Sequence, residues 1–121
     1  MINGRTEWFI PDGFMSSTAN GKLVSHEAIC VLNTSNEDAE IAFEIYFEDR
    51  EPLKGFCAHC PARRAVHVRL DQITNTDGIA IPKDTPYGVF VKTSVPIALQ
   101  YSRMDVSQAE MALMTSVPYG V

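Results

Sequence analysis

The stretch Ile41-Ala42-Phe43-Glu44-Ile45-Tyr46-Phe47-Glu48 constrains this chain more than any other. Ile41, Phe43, Ile45 and Phe47 recur at every second position, with Glu44, Tyr46 and Glu48 between them. A period of two puts the four apolar side chains on one face of an extended strand and the polar ones on the other. A helix would scatter the same residues around its axis, so the segment reads as a half-buried strand with one wet face. The pattern returns. Val66, Val68 and Leu70 alternate with His67 and Arg69; Tyr87, Val89 and Val91 with Gly88, Phe90 and Lys92; Ile97, Leu99 and Tyr101 with Ala98, Gln100 and Ser102. Ala28–Leu32 is apolar at both parities, as a central strand would be. Trp8, Phe9 and Ile10 read as a short first strand stopped by Pro11.

Turn signals divide these segments: Pro11-Asp12-Gly13, Asn20-Gly21, Asn33-Thr34-Ser35-Asn36, Asp77-Gly78 and Pro86-Tyr87-Gly88. Only Val106–Met114 has helical character, through Gln108, Ala109, Glu110, Met111, Ala112, Leu113 and Met114. It is short, and Thr115-Ser116-Val117 would break it, so a turn of helix followed by a last strand is expected. Seven or eight short strands with frequent turns predict an all-β sandwich or barrel.

The 121 residues fit one domain, 1–121, without repeat or linker. Apolar residues make up 45%, too many for a disordered chain. No apolar run approaches the ~20 residues that span a bilayer. Met1-Ile2-Asn3-Gly4-Arg5 does not read as a secretory signal. Ten Lys and Arg against fifteen Asp and Glu leave a net charge of −5. Much of the excess lies in Glu37, Asp38, Glu40, Glu44, Glu48, Asp49 and Glu51, which repel phosphate backbones, so nucleic acid is not the expected partner. A small basic patch remains at Arg63, Arg64 and Arg69. The odd cysteine count, Cys30, Cys57 and Cys60, points to free thiols in a reducing compartment.

Cys57-Ala58-His59-Cys60 offers three metal-ligand types in four residues, but no second C-x-x-C completes a zinc site. A redox motif needs a helix N-terminus, and Pro61 with the following β pattern argues against one. An ordinary strand end, with its cysteines on opposite faces, is the simpler reading. Arg63, His67 and Arg69 would share a strand face and suit a carboxylate, phosphate or sugar hydroxyls; they equally suit a solvated face or pairing with the acidic strand. Ser25-His26-Glu27 forms no nucleophile dyad, because adjacent strand residues point apart. His26 and Glu27 are separate candidate contacts. A metal held by His26, Glu27 and His67, as in cupins, would need clustered His or Glu ligands, and His59 lies in the separate cysteine cluster. Gln100 and Ser102 share a face, while Arg103 and Asp105 would either pair with each other or bracket a polyol; alternatively Arg103 and Glu110 lock a sheet or subunit contact. The chain contains no Gly-rich phosphate loop, H-E-x-x-H or G-x-S-x-G.

The chain resembles the soluble transducers of cyanobacterial sensory rhodopsin and their bacterial relatives. The resemblance begins at Gly4-Arg5-Thr6 with Trp8, and continues at Ser25-His26-Glu27 with Cys30 and Leu32-Asn33. It runs on through Glu37-Asp38-Ala39, Ile45-Tyr46 leading to Asp49 and Glu51-Pro52, and Pro61-Ala62-Arg63-Arg64 with His67-Val68-Arg69. Ile81-Pro82 with Asp84-Thr85, and Val95-Pro96-Ile97 with Gln100, Arg103, Asp105, Gln108-Ala109-Glu110 and Ala112-Leu113, complete it. The resemblance implies an antiparallel β-sandwich that assembles as a homotetramer, is cytosolic and uses no cofactor. It implies kinship with carbohydrate-binding sandwiches, hence a sensor of a sugar or another small polar ligand. DNA binding, attributed to the family, is disfavoured by the net −5. Cys57, His59 and Cys60 depart from the family pattern, and the end at Val121, soon after Tyr119, would leave little tail for partner recruitment.

The expectation is a non-enzymatic binding module with His26, Glu27, Arg63, His67, Gln100, Arg103 and Asp105 as ligand contacts. Arg63 and Arg103 would donate forked hydrogen bonds. Glu27, Asp105 and Gln100 would meet hydroxyls, and His67 would add a pH-sensitive contact. The rival expectation is an adaptor docking on a membrane receptor or a transcriptional regulator. An exposed apolar patch at Met111, Leu113 and Met114 would favour it.

Overall fold

The computed structural model describes residues 4–121. Eight strands follow one another: β1 (Arg5–Gly13), β2 (His26–Asn33), β3 (Ala39–Tyr46), β4 (Leu53–Cys60), β5 (Arg64–Arg69), β6 (Tyr87–Asp105), β7 (Ala112–Ser116) and β8 (Tyr119–Gly120). All named pairings are antiparallel. They form two sheets in a sandwich-like arrangement. The first runs β4-β3-β6-β1-β8. The second places β2 between β5 and β6, with β7 on the other side of β6.

The strand β6 belongs to both sheets. Its first half pairs with β1 and β3, and its second half with β2 and β7. The change of sheet falls at Thr93–Pro96. There β1 advances two residues, from Arg5 to Glu7, while β6 moves five, from Ile97 to Lys92. Pro96 has no N–H to offer a ladder, so it tolerates this unpaired corner. The alternation read as two strands, Tyr87–Lys92 and Ile97–Ser102, therefore belongs to one 19-residue strand.

Ile41, Phe43 and Ile45 are buried, as their spacing requires, and pack with Ile29, Val31, Val89, Val91, Ile97 and Leu99 in one core. Ala28 and Cys30 are half-buried and face outward, while Ile29 and Val31 face in. The strand β2 is central, as expected, and its outer face is thinly covered. Asn33 is fully buried at its end. Its Nδ2 donates to the Glu37 and Cys60 carbonyls at 2.8 and 3.2 Å, and its Oδ1 accepts from the Ser35 N–H and hydroxyl at 3.1 and 2.8 Å. A buried amide can stay there because it is satisfied on both sides.

Two local expectations are corrected. Val106–Met114 is not helical: residues 107–110 form bends and Ala112–Ser116 is a strand. A nine-residue helix nucleates poorly alone, whereas the open edge of β6 offers Tyr101–Asp105 as a ladder partner. Pro11 does not stop β1, which continues to Gly13. The register with β6 breaks between Ile10 and Gly13, so the missing N–H costs no regular hydrogen bond.

Candidate functional site

Glu27 sits on the inward face of β2, between the apolar positions of the core, and is fully buried. A carboxylate removed from water must be surrounded by donors. Arg103 Nε donates to Glu27 Oε2 at 2.7 Å, and the Phe14 N–H donates to the same oxygen at 2.9 Å. The Tyr101 hydroxyl donates to Oε2 and the Tyr87 hydroxyl to Oε1. Arg103 Nη2 also donates to the Tyr101 hydroxyl and the Asp12 carbonyl, both at 3.0 Å, and lies 3.6 Å from the Asp12 carboxylate.

These groups come from both sheets. Tyr87 opens the first half of β6; Tyr101 and Arg103 lie on its second half, opposite β2. One carboxylate therefore ties the two sheets together. Gly13 makes room for the Tyr87 ring, since a Cβ there would stand 2.5 Å from it. Burial raises the pKa of both tyrosine hydroxyls well above the usual phenol range, and the Glu27 charge and hydrogen bonds raise them further. Burial works against the Arg103 charge, but the hydrogen bond to Glu27 leads the contributions that outweigh it.

The residues expected at a ligand site are not brought to one place. Glu27 and Arg103 meet, but each other rather than open space. The Arg103–Asp105 pair does not form: Asp105 accepts from the Ser107 N–H and hydroxyl at 2.8 and 2.6 Å, and Arg103 turns to the buried carboxylate. Arg63 is not on a strand. It lies in the β4–β5 turn at φ 58°, with its N–H on the Ser35 carbonyl at 3.1 Å, so it does not share a face with His67 and Arg69. Arg69 makes a bidentate pair with Asp71, both bonds 2.8 Å, not with the acidic strand β3.

His26, His67 and Gln100 do share the outer face of the second sheet. His67 stands opposite Cys30, and Cys30 opposite Gln100, forming one cross-strand rung; His26 lies two rungs along, beside Met104. Glu27 is on the opposite face of β2, so His26, Glu27 and His67 cannot converge on one metal. Cys57 is exposed and Cys60 buried, on opposite faces as expected; His59 Nδ1 meets Glu40 Oε1 at 2.7 Å. Among the described residues no three His, Cys, Asp or Glu side chains are grouped to hold a metal ion.

Two surfaces stand out beyond those residues. A groove of about 930 Å³ crosses the outer face of the first sheet. One rung of that face carries Glu44, Phe90, Phe9 and Tyr119. The Phe9 and Phe90 rings are 5.1 Å apart, and Phe9 and Tyr119 6.1 Å. The other surface is β7, exposed at all five residues, with Leu113 70% exposed between Met111 and Met114. Sequence reasoning missed Tyr87 and Tyr101 as partners of Glu27, although an inward tyrosine always needs somewhere to put its hydroxyl. It also passed over Phe90, an aromatic at an outward position between Gly88 and Lys92, where a polar residue is the rule.

The chain is similar to known proteins over nearly its whole length. The model of the Anabaena sensory rhodopsin transducer family matches residues 3–120. The crystal structure of Thermotoga maritima 1070 is similar at 35% identity and a TM-score of 0.86, over 99% of this chain and 97% of that one. The Anabaena sensory rhodopsin transducer itself is 37% identical with a TM-score of 0.76, over 87% of this chain and 92% of its own. No curated protein matches significantly. Among the described residues no helix is long and apolar enough to cross a membrane. By this match of sequence and fold, the chain belongs to the Anabaena sensory rhodopsin transducer family.

Proposed function

We propose that this protein is a non-enzymatic adaptor, which carries a signal by docking on another protein rather than by transforming a substrate. The observation that carries this reading is β7, an apolar strand exposed along its whole length. A strand with neither face covered buries nothing for its own fold, and contiguous exposed apolar residues mark interfaces. A membrane receptor is the favoured partner class, as the name of the Anabaena relative indicates. Cytoplasmic loops of membrane proteins carry excess Lys and Arg, and a chain of net charge −5 complements them. The same strand is the candidate contact for assembly into a homotetramer.

Sedimentation velocity and pull-down from native lysate, on wild type and on the Leu113→Ser/Met114→Ser variant, test both roles. The wild type is expected to sediment above its 13.4 kDa monomer and to capture a specific protein. The variant is expected to lose one or both while Trp8 fluorescence stays native. A variant that assembles and captures like wild type overturns the reading of β7.

The outer face of the second sheet supports a second reading, binding of a small sugar or sugar acid. His67 and Gln100 share a rung there, with His26 further along and Arg69 beside them. A ligand at about 100 times its dissociation constant adds ~2.7 kcal/mol, a shift of several degrees. A panel of neutral, acidic and phosphorylated sugars should then raise the melting temperature of wild type and not of His67→Ala/Gln100→Ala. No shift with any sugar removes this reading and leaves the adaptor.

A further inference from the structure

We propose that the groove on the outer face of the first sheet is a docking site for a cationic peptide segment of the partner, one in which Arg or Lys is flanked by apolar residues. This rests on the adaptor reading and adds to it the surface and the chemistry of contact. The groove exists because of Gly88. This residue lies beside Tyr46 on the outer face and carries no side chain, so a depression opens between Tyr46 and Pro11. A Cβ at Gly88 would stand 3.1 Å from the Ile10 carbonyl oxygen and 3.7 Å from Pro11. Phe9 and Phe90 supply an aromatic wall, and Phe9 remains 39% exposed.

The charge of the lining selects the occupant. It holds three carboxylates, Glu7, Asp12 and Glu48, and no Lys or Arg. Asp12 already lies 3.6 Å from Arg103; Glu7 stands opposite Lys92 in the β1–β6 ladder and Arg50 lies 5.0 Å over the Phe47 ring, yet Glu7 and Glu48 enter no ion pair among the described residues. Aromatic walls below an anionic rim match a side chain with a long apolar stem and a cationic head: the stem or guanidinium lies on the rings and the charge reaches a carboxylate. A second copy of this chain is a poor occupant, because its net charge of −5 would meet the same rim. The strands beneath the groove, β3, β6 and β1, are paired with one another, so the occupant is held by side-chain contacts and not by strand addition.

The test is fluorescence anisotropy with a dye-labelled dodecapeptide of alternating Arg and Leu, beside the same peptide with Glu in place of Arg. Wild type should bind the Arg peptide at least ~30-fold more tightly at low salt, and less tightly as salt rises. The Glu7→Lys/Glu48→Lys variant should weaken it by at least ~10-fold and gain affinity for the Glu peptide, a reversal that misfolding cannot produce. Phe90→Ser should weaken it by ~5-fold or more, and Leu113→Ser on β7 by less than ~2-fold. Undiminished binding to the charge-reversed variant, loss in Leu113→Ser alone, or displacement of the peptide by maltoheptaose each overturns the proposal. So does a wild type that binds neither peptide, and that result leaves the adaptor reading to its own test on β7.

Discussion

Replacing Glu27 by alanine should cost about 3–5 kcal/mol, the penalty for breaking a buried ion pair from one side. The substitution leaves Arg103 charged without its 2.7 Å partner and two buried tyrosine hydroxyls without an acceptor. In a domain of this size the melting temperature should fall by about 10–20 °C. Urea unfolding followed by the fluorescence of Trp8, which is buried in the core, reads the loss. Total stability is only ~5–15 kcal/mol, so Glu27→Gln is the companion variant should alanine not fold. It keeps the volume but turns an amide donor toward other donors, and should cost about 2–3 kcal/mol. Glu27→Met/Arg103→Met should recover part of the loss, because removing both charges spares the desolvation of either. A cost below ~1 kcal/mol for Glu27→Ala would show that the carboxylate does not tie the sheets. Arg103→Ala is likewise expected to lower stability, since Arg103 serves the interior of the fold before any ligand.

The second large effect lies at alkaline pH. Tyr87 and Tyr101 titrate well above the ordinary phenol range when folded, through burial and the neighbouring Glu27, and near 10 when unfolded. A raised folded pKa contributes stability that is whole below the unfolded pKa and is lost as pH rises past it, because the unfolded chain then releases protons the native state keeps. Each tyrosine should remove ~1.4 kcal/mol per pH unit well above pH 10, about 3 kcal/mol for the pair between pH 9 and 11. Tyr87→Phe and Tyr101→Phe should each lower the baseline and flatten this slope. The slope is the informative quantity, since any lost contact moves the baseline. Single variants that keep the full wild-type slope would show that the hydroxyls ionise as freely in the fold as outside it.

Both effects depend on a cluster whose members lie far apart in the chain, and this sets the limit of what the residues alone tell. The alternation of Ile41, Phe43 and Ile45 determined a strand and its inner face, because strand periodicity is a local property of the backbone. The same holds for Ile97, Leu99 and Tyr101, and for Cys57 and Cys60 falling on opposite faces. Family membership was also legible, since the quoted motifs run from Gly4 to Leu113 and the family model matches residues 3–120. Where two segments compete for one backbone, local reading failed. Val106–Met114 has helical propensity, but the open edge of β6 recruits Ala112–Ser116 into a ladder. Arg63 looked like a strand residue from its spacing to His67, but the turn it occupies is fixed by Asn33, Ser35 and Asp38 from the β2–β3 connection, which crosses between the sheets.

The seven expected ligand contacts were divided by the same cause. Parity along β2 puts His26 outside and Glu27 inside, which the sequence already required once β2 was a strand. Which face is covered, and by whom, was decided only when β6 crossed from one sheet to the other and carried Tyr87, Tyr101 and Arg103 to a single carboxylate. Gly88, Phe90 and Phe9 became a groove for the same reason: register between strands distant in sequence is set by core packing, which no local pattern encodes.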